Sequence, residues 1–340
     1  MERYASSSTK AIELLRMTDG LVVHQTLCAA ANLGIADLLG EGERASADLG
    51  SALRINEDAL YRLLRFLSGH GVFREIRPGT FVNTALSEFM RADVPGSVRS
   101  VLIFRGNPYY FLPFAEFLSS VETGMPARRK TFGKEAFEYL RSNPEAGRVF
   151  DDAMTAMSAL WAPAIAAAYD FGRWGAVTDV GGGNGMLLAE ILRAHPGLRG
   201  VLADEAPVLE RARQRGLLSG ALADRVRFEA SNFFEAVPSG SRVYVMKNII
   251  HDWNDDDARR ILLNCRRAVP DDGALLLVEY RVGEANAPSL GKVIDIVMLT
   301  VTGGKERTLE QHRELLASTG FRLSRSIPVS NEIVIYEAAG

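Results

Sequence analysis

The chain has 340 residues, of which 47% are hydrophobic and 24% charged, and its formal net charge is -3. That length exceeds what one small core organises, so two domains are the starting expectation. So slight a charge provides no global field to gather nucleic acid or an anionic membrane, and no apolar run is long enough to span a bilayer.

The opening Met-Glu-Arg-Tyr-Ala-Ser-Ser-Ser has no apolar signal core. Residues 11–39 carry Ile12, Leu14, Leu15, Val22, Val23, Leu27, Ile35 and Leu38 at helical spacing. Apolar residues lie on more than one face there, which predicts burial by a second chain. Cys28 and Cys265 both fall inside helical patterns and read as small buried hydrophobes of a reducing cytoplasm.

A short helix follows over residues 46–54, then Asn56 caps a helix from Glu57 to Ser68 with Leu60, Leu63, Leu64 and Leu67 inward. Val72 to Glu75 and Thr80 to Val82 form a small β-wing around Pro78-Gly79. Helix, turn, helix and wing is also a DNA-binding plan. Against that use, the second helix opens on Glu57 and Asp58, and no basic run flanks it. A winged-helix fold serving packing and dimerisation is the reading kept.

Residues 101–125 are rich in aromatics, most of them expected in a core. Gly124 to Gly133 reads as a polar loop whose Arg128-Arg129-Lys130 is solvated. A long helix from Pro144 to Tyr169 carries Met154, Met157 and Trp161 at helical spacing, as candidates for a pocket wall.

From residue 176 onward strand and helix alternate, which argues for a parallel sheet. Strands are expected at 176–180, 199–203, 225–229, 242–247 and 274–280. Phe321 to Ile327 and Glu332 to Tyr336 close the chain as an antiparallel hairpin. There is no internal repeat.

The chemistry gathers at strand ends. Asp179-Val-Gly-Gly-Gly-Asn-Gly185 is a strand breaking into a glycine turn before a helix, the way an open sheet makes a nucleotide-sized crevice. The dinucleotide fingerprint wants a third glycine where Met186 stands, which disfavours a pyrophosphate ligand and a nicotinamide-dependent dehydrogenase. Asp204 ends the next strand and suits ribose hydroxyls, so the pair points to an adenosine-type cofactor. His251 lies at the carboxyl end of a later strand, and Glu279 and Glu306 reach the same rim from two other segments. A neutral imidazole there is a candidate general base. The spacing of these residues does not resemble a zinc site, so no metal is expected.

Asp179-Val-Gly-Gly-Gly-Asn-Gly185, Lys247-Asn-Ile-Ile-His-Asp-Trp253 and Gly303-Gly-Lys-Glu-Arg-Thr308 together resemble the caffeic acid type of small-molecule O-methyltransferases, including bacterial natural-product enzymes. The resemblance covers almost the whole chain. It implies a class I methyltransferase, Rossmann-like doubly wound α/β sheet ending in a hairpin, behind a mainly α, winged-helix-like dimerisation domain. The expected divisions are residues 1–100 for dimerisation, 101–172 for a helical linker contributing to the pocket, and 173–340 for cofactor binding and catalysis.

The implied cofactor is S-adenosylmethionine. Gly181 and Gly183 would lie against its methionine part, Asp204 at the ribose, and Lys247 nearby. Asn232 and Phe233 stand where the family often has an acid and an aromatic by the adenine; Asn232 lacks the charge. His251 matches the general base, flanked by Glu279 and Glu306, and Asp252 is a further acid beside it. Met154, Met157, Trp161, Asp295 and Met298 are pocket candidates for a flat aromatic acceptor with a hydroxyl. A cytoplasmic homodimer without nucleic-acid or membrane partners completes the expectation. Relatives that decarboxylate or hydroxylate, and a metabolite-sensing regulator, are the alternatives.

Overall fold

The computed structural model describes residues 2–340, with side chains from Thr9 onward. It divides into two compact units, one up to Phe111 and one from Leu112 to Gly340.

The first unit is helical. Helices run over Glu2–Thr18, Gly20–Asn32, Ile35–Leu39, Ser46–Leu53 and Glu57–Gly69. Asn56 caps the last of these by accepting the Ala59 N–H at 2.8 Å. Leu60, Leu64 and Leu67 then fall on one helical face and are buried with Ile35, Leu49, Phe73 and Phe81. β1 (Arg44–Ala45), β2 (Phe73–Arg77) and β3 (Thr80–Asn83) form a three-stranded antiparallel sheet in the order β1-β3-β2. The wing is therefore present, and β1 adds a strand too short for periodicity to reveal. Ile12, Leu14, Leu15, Met17 and Leu21 stay at least half exposed.

The second unit is built on a seven-stranded sheet, β6-β5-β4-β7-β8-β10-β9. Its strands are β4 (Ala176–Val180), β5 (Arg199–Asp204), β6 (Val226–Ala230), β7 (Val243–Lys247), β8 (Ala274–Tyr280), β9 (Arg322–Pro328) and β10 (Ile333–Ala339). β4 to β8 are mutually parallel, while β10 runs antiparallel to both β8 and β9. Central strands buried on both faces need unbroken apolar runs. Val243 to Met246 and Leu275 to Val278 supply them, every residue 0% exposed. From β4 the chain winds outward through β5 and β6, then returns to β7 on the other side. The order thus reverses between β4 and β7, where a parallel sheet opens a crevice at its carboxyl edge. The glycine turn follows β4 and Lys247 ends β7, so both border that crevice.

β10 is tied back to the segment leading into β4. The Tyr169 hydroxyl donates to Glu337 Oε1 at 2.8 Å and accepts from Arg173 and Trp174, each at 3.1 Å. Arg173 and Arg325 also donate to the Glu337 carboxylate. Tyr169 and Glu337 are 3% and 6% exposed, so their oxygens depend on these partners. Tyr169→Phe should cost about 1–3 kcal/mol, because it removes a hydrogen bond to a charged carboxylate and takes the acceptor from the Trp174 N–H, while Arg173 and Arg325 still hold Glu337. The expected observation is a lower urea midpoint with an unchanged m-value; an unmoved midpoint would mean that the two arginines alone hold Glu337.

Candidate active site

The glycine turn is shaped by close approach on one side and open space on the other. Gly181, Gly183 and Gly185 have φ of 70°, 58° and 80°, the left-handed region that glycine enters without strain. A Cβ on Gly181 would lie 2.6 Å from Ile249 Cδ1 and 3.6 Å from Phe233, whereas one on Gly183 would meet nothing within 4 Å. The Asp204 carboxylate fixes the turn, accepting the Gly183 N–H at 2.9 Å and the Glu205 N–H at 2.7 Å.

Three charged groups collect beneath the turn. Burial, and then the neighbouring Asp204, push Asp179 up to about 7. Burial likewise raises Asp204 to about 6 and lowers Lys247 to about 8, although Glu279 and Asp179 support the lysine's charge. Asp179 Oδ2 and Asn184 Oδ1 are buried without a hydrogen-bond partner among the described residues. Orphaned acceptors, an anionic bias and open space above Gly183 fit a ligand bearing a cationic centre and hydroxyl donors. S-adenosylmethionine has that character.

The second cluster follows β7. Asn248 takes a left-handed turn at φ 53°, and a single 3-10 turn over Ile250–Asp252 carries the histidine. His251 is 7% exposed. Its Nδ1 lies 2.6 Å from Glu306 Oε1 and 3.8 Å from Glu279 Oε2. Glu279 also accepts the Ile250 N–H through Oε1 at 3.2 Å, which anchors the turn itself. With Nδ1–H donated to Glu306, the neutral ring keeps its lone pair on Nε2. Asp252 Oδ1 stands 3.9 Å from Nε2, on the other side of the ring.

These carboxylates set the electrostatics. Burial opposes the imidazolium, but Glu306, Asp252 and Glu279 outweigh it and hold His251 up at about 10. Burial drives Asp252 up to about 6 against the pull of His251 and Arg128. Burial also raises Glu279, to about 8. One atom from each of His251, Glu279 and Glu306 lies within 4.8 Å of the others.

Glu306 is delivered by a loop locked against the histidine turn. A Cβ on Gly304 would sit 2.0 Å from the His251 carbonyl oxygen, so no other residue lets the two backbones meet this closely. The Lys305 N–H donates to that same carbonyl at 2.9 Å. Arg307, 1% exposed, donates to the carbonyls of Ile250 at 3.0 Å and Trp253 at 2.9 Å. It also donates to Asp255 Oδ1, while Lys305 Nζ reaches Asp255 Oδ2 at 2.6 Å. Asp295 accepts the Glu306 N–H at 2.9 Å. Its carboxylate thus acts on the loop backbone, a contact that the pocket assignment from sequence did not anticipate.

The helix Pro144–Ala168 brings Met154, Met157 and Trp161, all half-buried, to one side, and Met298 is buried on Leu290–Val301. Trp161 Nε1 has no partner among the described residues. Trp253 stacks on Phe137 at 5.4 Å between centroids and meets Phe233 and Phe234 edge-on. Asn232 spends its amide oxygen on the Phe234 N–H at 3.0 Å, retaining a second lone pair.

One expectation is corrected. Ala127–Phe132 is helical, not a loop, and Arg128 is 2% exposed. Residue 128 turns inward from its helix while Arg129 and Lys130 remain on the surface. Sequence reasoning also passed over Thr155, Ser158, Asn184, Asp255 and Arg307. The last two sit in polar, charge-rich stretches, and only the wish to pair the motif's Arg307 would have drawn attention to it.

Comparison with known proteins places the chain in a family. Residues 114–322 match the O-methyltransferase domain family, and residues 15–93 match the O-methyltransferase dimerisation domain. The phenazine O-methyltransferase of Lysobacter antibioticus is 39% identical over 96% of this chain and 95% of its own. A solved mitomycin 7-O-methyltransferase superposes with a TM-score of 0.91 at 34% identity, covering 98% of this chain and 99% of that one. An O-methyltransferase of neocarzinostatin biosynthesis, solved with S-adenosylmethionine and 2-hydroxy-5-methyl naphthoic acid, gives 0.81 at 34% identity over 94% and 96%. A crevice of orphaned acceptors at the switch point and a carboxylate-flanked histidine beside it are thus set in a fold shared along the full chain, and the protein belongs to the S-adenosylmethionine-dependent O-methyltransferases.

Proposed function

We propose that the protein methylates a phenolic hydroxyl of a flat aromatic natural product, with His251 as general base. The observation that carries this reading is the 2.6 Å contact of His251 Nδ1 with Glu306, inside a cluster of buried carboxylates. A free phenol titrates near ~10 and a free histidine near ~6.5, a gap worth roughly 5 kcal/mol against full proton transfer. With His251 held at about 10 that gap closes, so the ring can take the phenol proton on Nε2. Glu306 steadies the imidazolium through Nδ1, and Glu279 holds the turn and adds charge. An amine acceptor would have no need of so strong a base.

When bound, S-adenosylmethionine supplies a methyl group on a sulfonium, open to in-line attack. Gly181 and Gly183 suit its methionine portion, Asp204 its ribose, and Asn232 and Phe233 its adenine side. Lys247 faces Asp179 and balances its charge. Met154, Met157, Trp161 and Met298 suit a planar apolar acceptor, and Asp295 serves the pocket by holding the Glu306 backbone. The phenazine, mitomycin and naphthoate chemistry named for the relatives supports that acceptor class.

The matched dimerisation domain and the exposed Ile12, Leu14, Leu15 and Met17 support a homodimer joined through residues 1–100. Residues 101–172 then furnish the pocket wall and 173–340 the catalytic unit. Buried free thiols at Cys28 and Cys265 suit a reducing cytoplasm. No helix among the described residues is long and apolar enough to cross a membrane.

The test is a calorimetric titration with S-adenosylhomocysteine, followed by paired phenols and anilines scored for methyl transfer. Transfer to anilines alone would reject the phenolic reading. His251→Gln should lower kcat by about 10²–10⁴ with S-adenosylhomocysteine affinity retained; near-normal turnover would remove His251 as the base.

The pH profile follows from the raised histidine. The base is the neutral ring, and a group held at about 10 is mostly charged at pH 7. The catalytically useful form therefore accumulates as pH climbs, and kcat/KM should rise about tenfold per unit well above the ordinary ~6.5. Glu306→Gln removes the foremost supporting carboxylate, so its rising limb should move to lower pH with a lower plateau. A limb that stays in place would exclude Glu306 from this role.

A further inference from the structure

The helix Pro144–Ala168 has a second edge that the reaction leaves unexplained. Asp151, Asp152, Thr155 and Ser158 lie along it at helical spacing, next to the edge bearing Met154, Met157 and Trp161. Each of the four reaches a different point on the cofactor side of the crevice. Asp151 pairs with Arg211, and Asp152 with Arg215 at 2.8 Å, both on the helix Ala206–Arg215 that begins just beyond Asp204. Thr155 Oγ1 accepts from Asn184 Nδ2 at 2.9 Å, within the glycine turn. Ser158 Oγ accepts from Lys247 Nζ at 3.2 Å, at the end of β7.

The four links differ in weight. The two ion pairs are partly exposed, and such pairs contribute little. The Thr155–Asn184 bond is buried at both ends, at 7% and 8% exposure. Its geometry is also fixed on the helix side, because the Thr155 hydroxyl proton is already donated to the Asp151 carbonyl at 2.7 Å. Towards Asn184 the hydroxyl can therefore only accept. Asn184 stands between Gly183 and Gly185, so its backbone belongs to the turn on which the cofactor rests, and its Oδ1 is buried without a partner among the described residues.

We propose that Thr155 is a positioning residue which, through Asn184, couples occupancy of the cofactor turn to the order of the helix forming the acceptor wall. The cofactor then does more than present a methyl group: its arrival stiffens the surface on which the aromatic acceptor is laid. A wall ordered before the acceptor arrives lowers the entropy lost on binding it. This inference rests on the reading of Met154 and Met157 as acceptor contacts, but its test needs no acceptor.

Hydrogen exchange of the full-length protein with and without saturating S-adenosylhomocysteine reads the coupling directly, and calorimetry of the same samples reads affinity. In the wild type, peptides spanning 151–161 should exchange several-fold more slowly with ligand. Thr155→Val keeps the shape and removes the acceptor; it should weaken S-adenosylhomocysteine roughly fivefold, the scale of one hydrogen bond, and lose most of the added protection at saturation. Thr155→Ser keeps the hydroxyl and should restore both. Wall peptides indifferent to the ligand in the wild type would overturn the proposal. So would a valine variant that behaves as wild type, or a serine variant as damaged as the valine one. Failure of the phenol reading would appear instead as methyl transfer to anilines alone, or to no member of the acceptor panel, with these exchange data unaffected.

Discussion

The bond from His251 to Glu306 joins residues 55 positions apart, and it exists only if two loops keep one register. Side chains alone do not achieve that. The backbone at Gly304 lies against the His251 carbonyl where any Cβ would collide, and the Lys305 N–H then bonds to the same oxygen. Arg307 holds the arrangement from beneath. Its guanidinium spans the carbonyls of Ile250 and Trp253, and Asp255 neutralises it. A planar fork with several fixed donors suits this task in a way that an ammonium would not. Stiffness matters because the basicity of His251 depends on where the carboxylates stand. A drift of Glu306 would lower the proton affinity of the ring without touching the histidine.

The sheet supplies the second constraint. Apolar strands with no exposed residue in β7 and β8 make a rigid edge, from which Lys247, His251 and Glu279 emerge close together. Buried charges on that edge are costly singly and tolerable as a group. Asp179 and Lys247 offset each other, and the acids around His251 share its proton. The two clusters also communicate, since Lys247 feels both Asp179 and Glu279.

Much of this was legible in the chain. Alternation of strand and helix gave the sheet, the last two strands read as a hairpin, and strand-end positions singled out Asp204, His251 and Glu279. Local rules succeed there because strand, turn and cap are local. They fail where a residue's role depends on a partner far along the chain. Arg128-Arg129-Lys130 is a uniform positive run, yet a helix turns each residue by about 100°, so one member points inward while its neighbours stay wet. Nothing in the run says which. Asp255 sits among three consecutive acids at a helix start, where the expected role is favourable charge at the N-terminus. Its pairing with Arg307 crosses 52 positions and follows from the fold alone. Asp295 was recognisable as lying near the site, but its hydrogen bond to a backbone N–H carries no side-chain signature.

The hairpin has a consequence for how the protein is made. β10 lies between β8 and β9, although it is translated after both. While the ribosome is still producing the segment between β8 and β10, the apolar edge of β8 has no neighbour, and β9 has no strand to join. An open strand edge of this kind is a template for pairing with other chains. The nascent chain therefore passes through a window in which the segments bearing His251, Glu279 and Glu306 have been synthesised while its sheet is still unsealed. Chaperone engagement and misassembly are expected to concentrate in that window, and the strand that closes it, Ile333–Ala339, carries none of the residues proposed for the reaction.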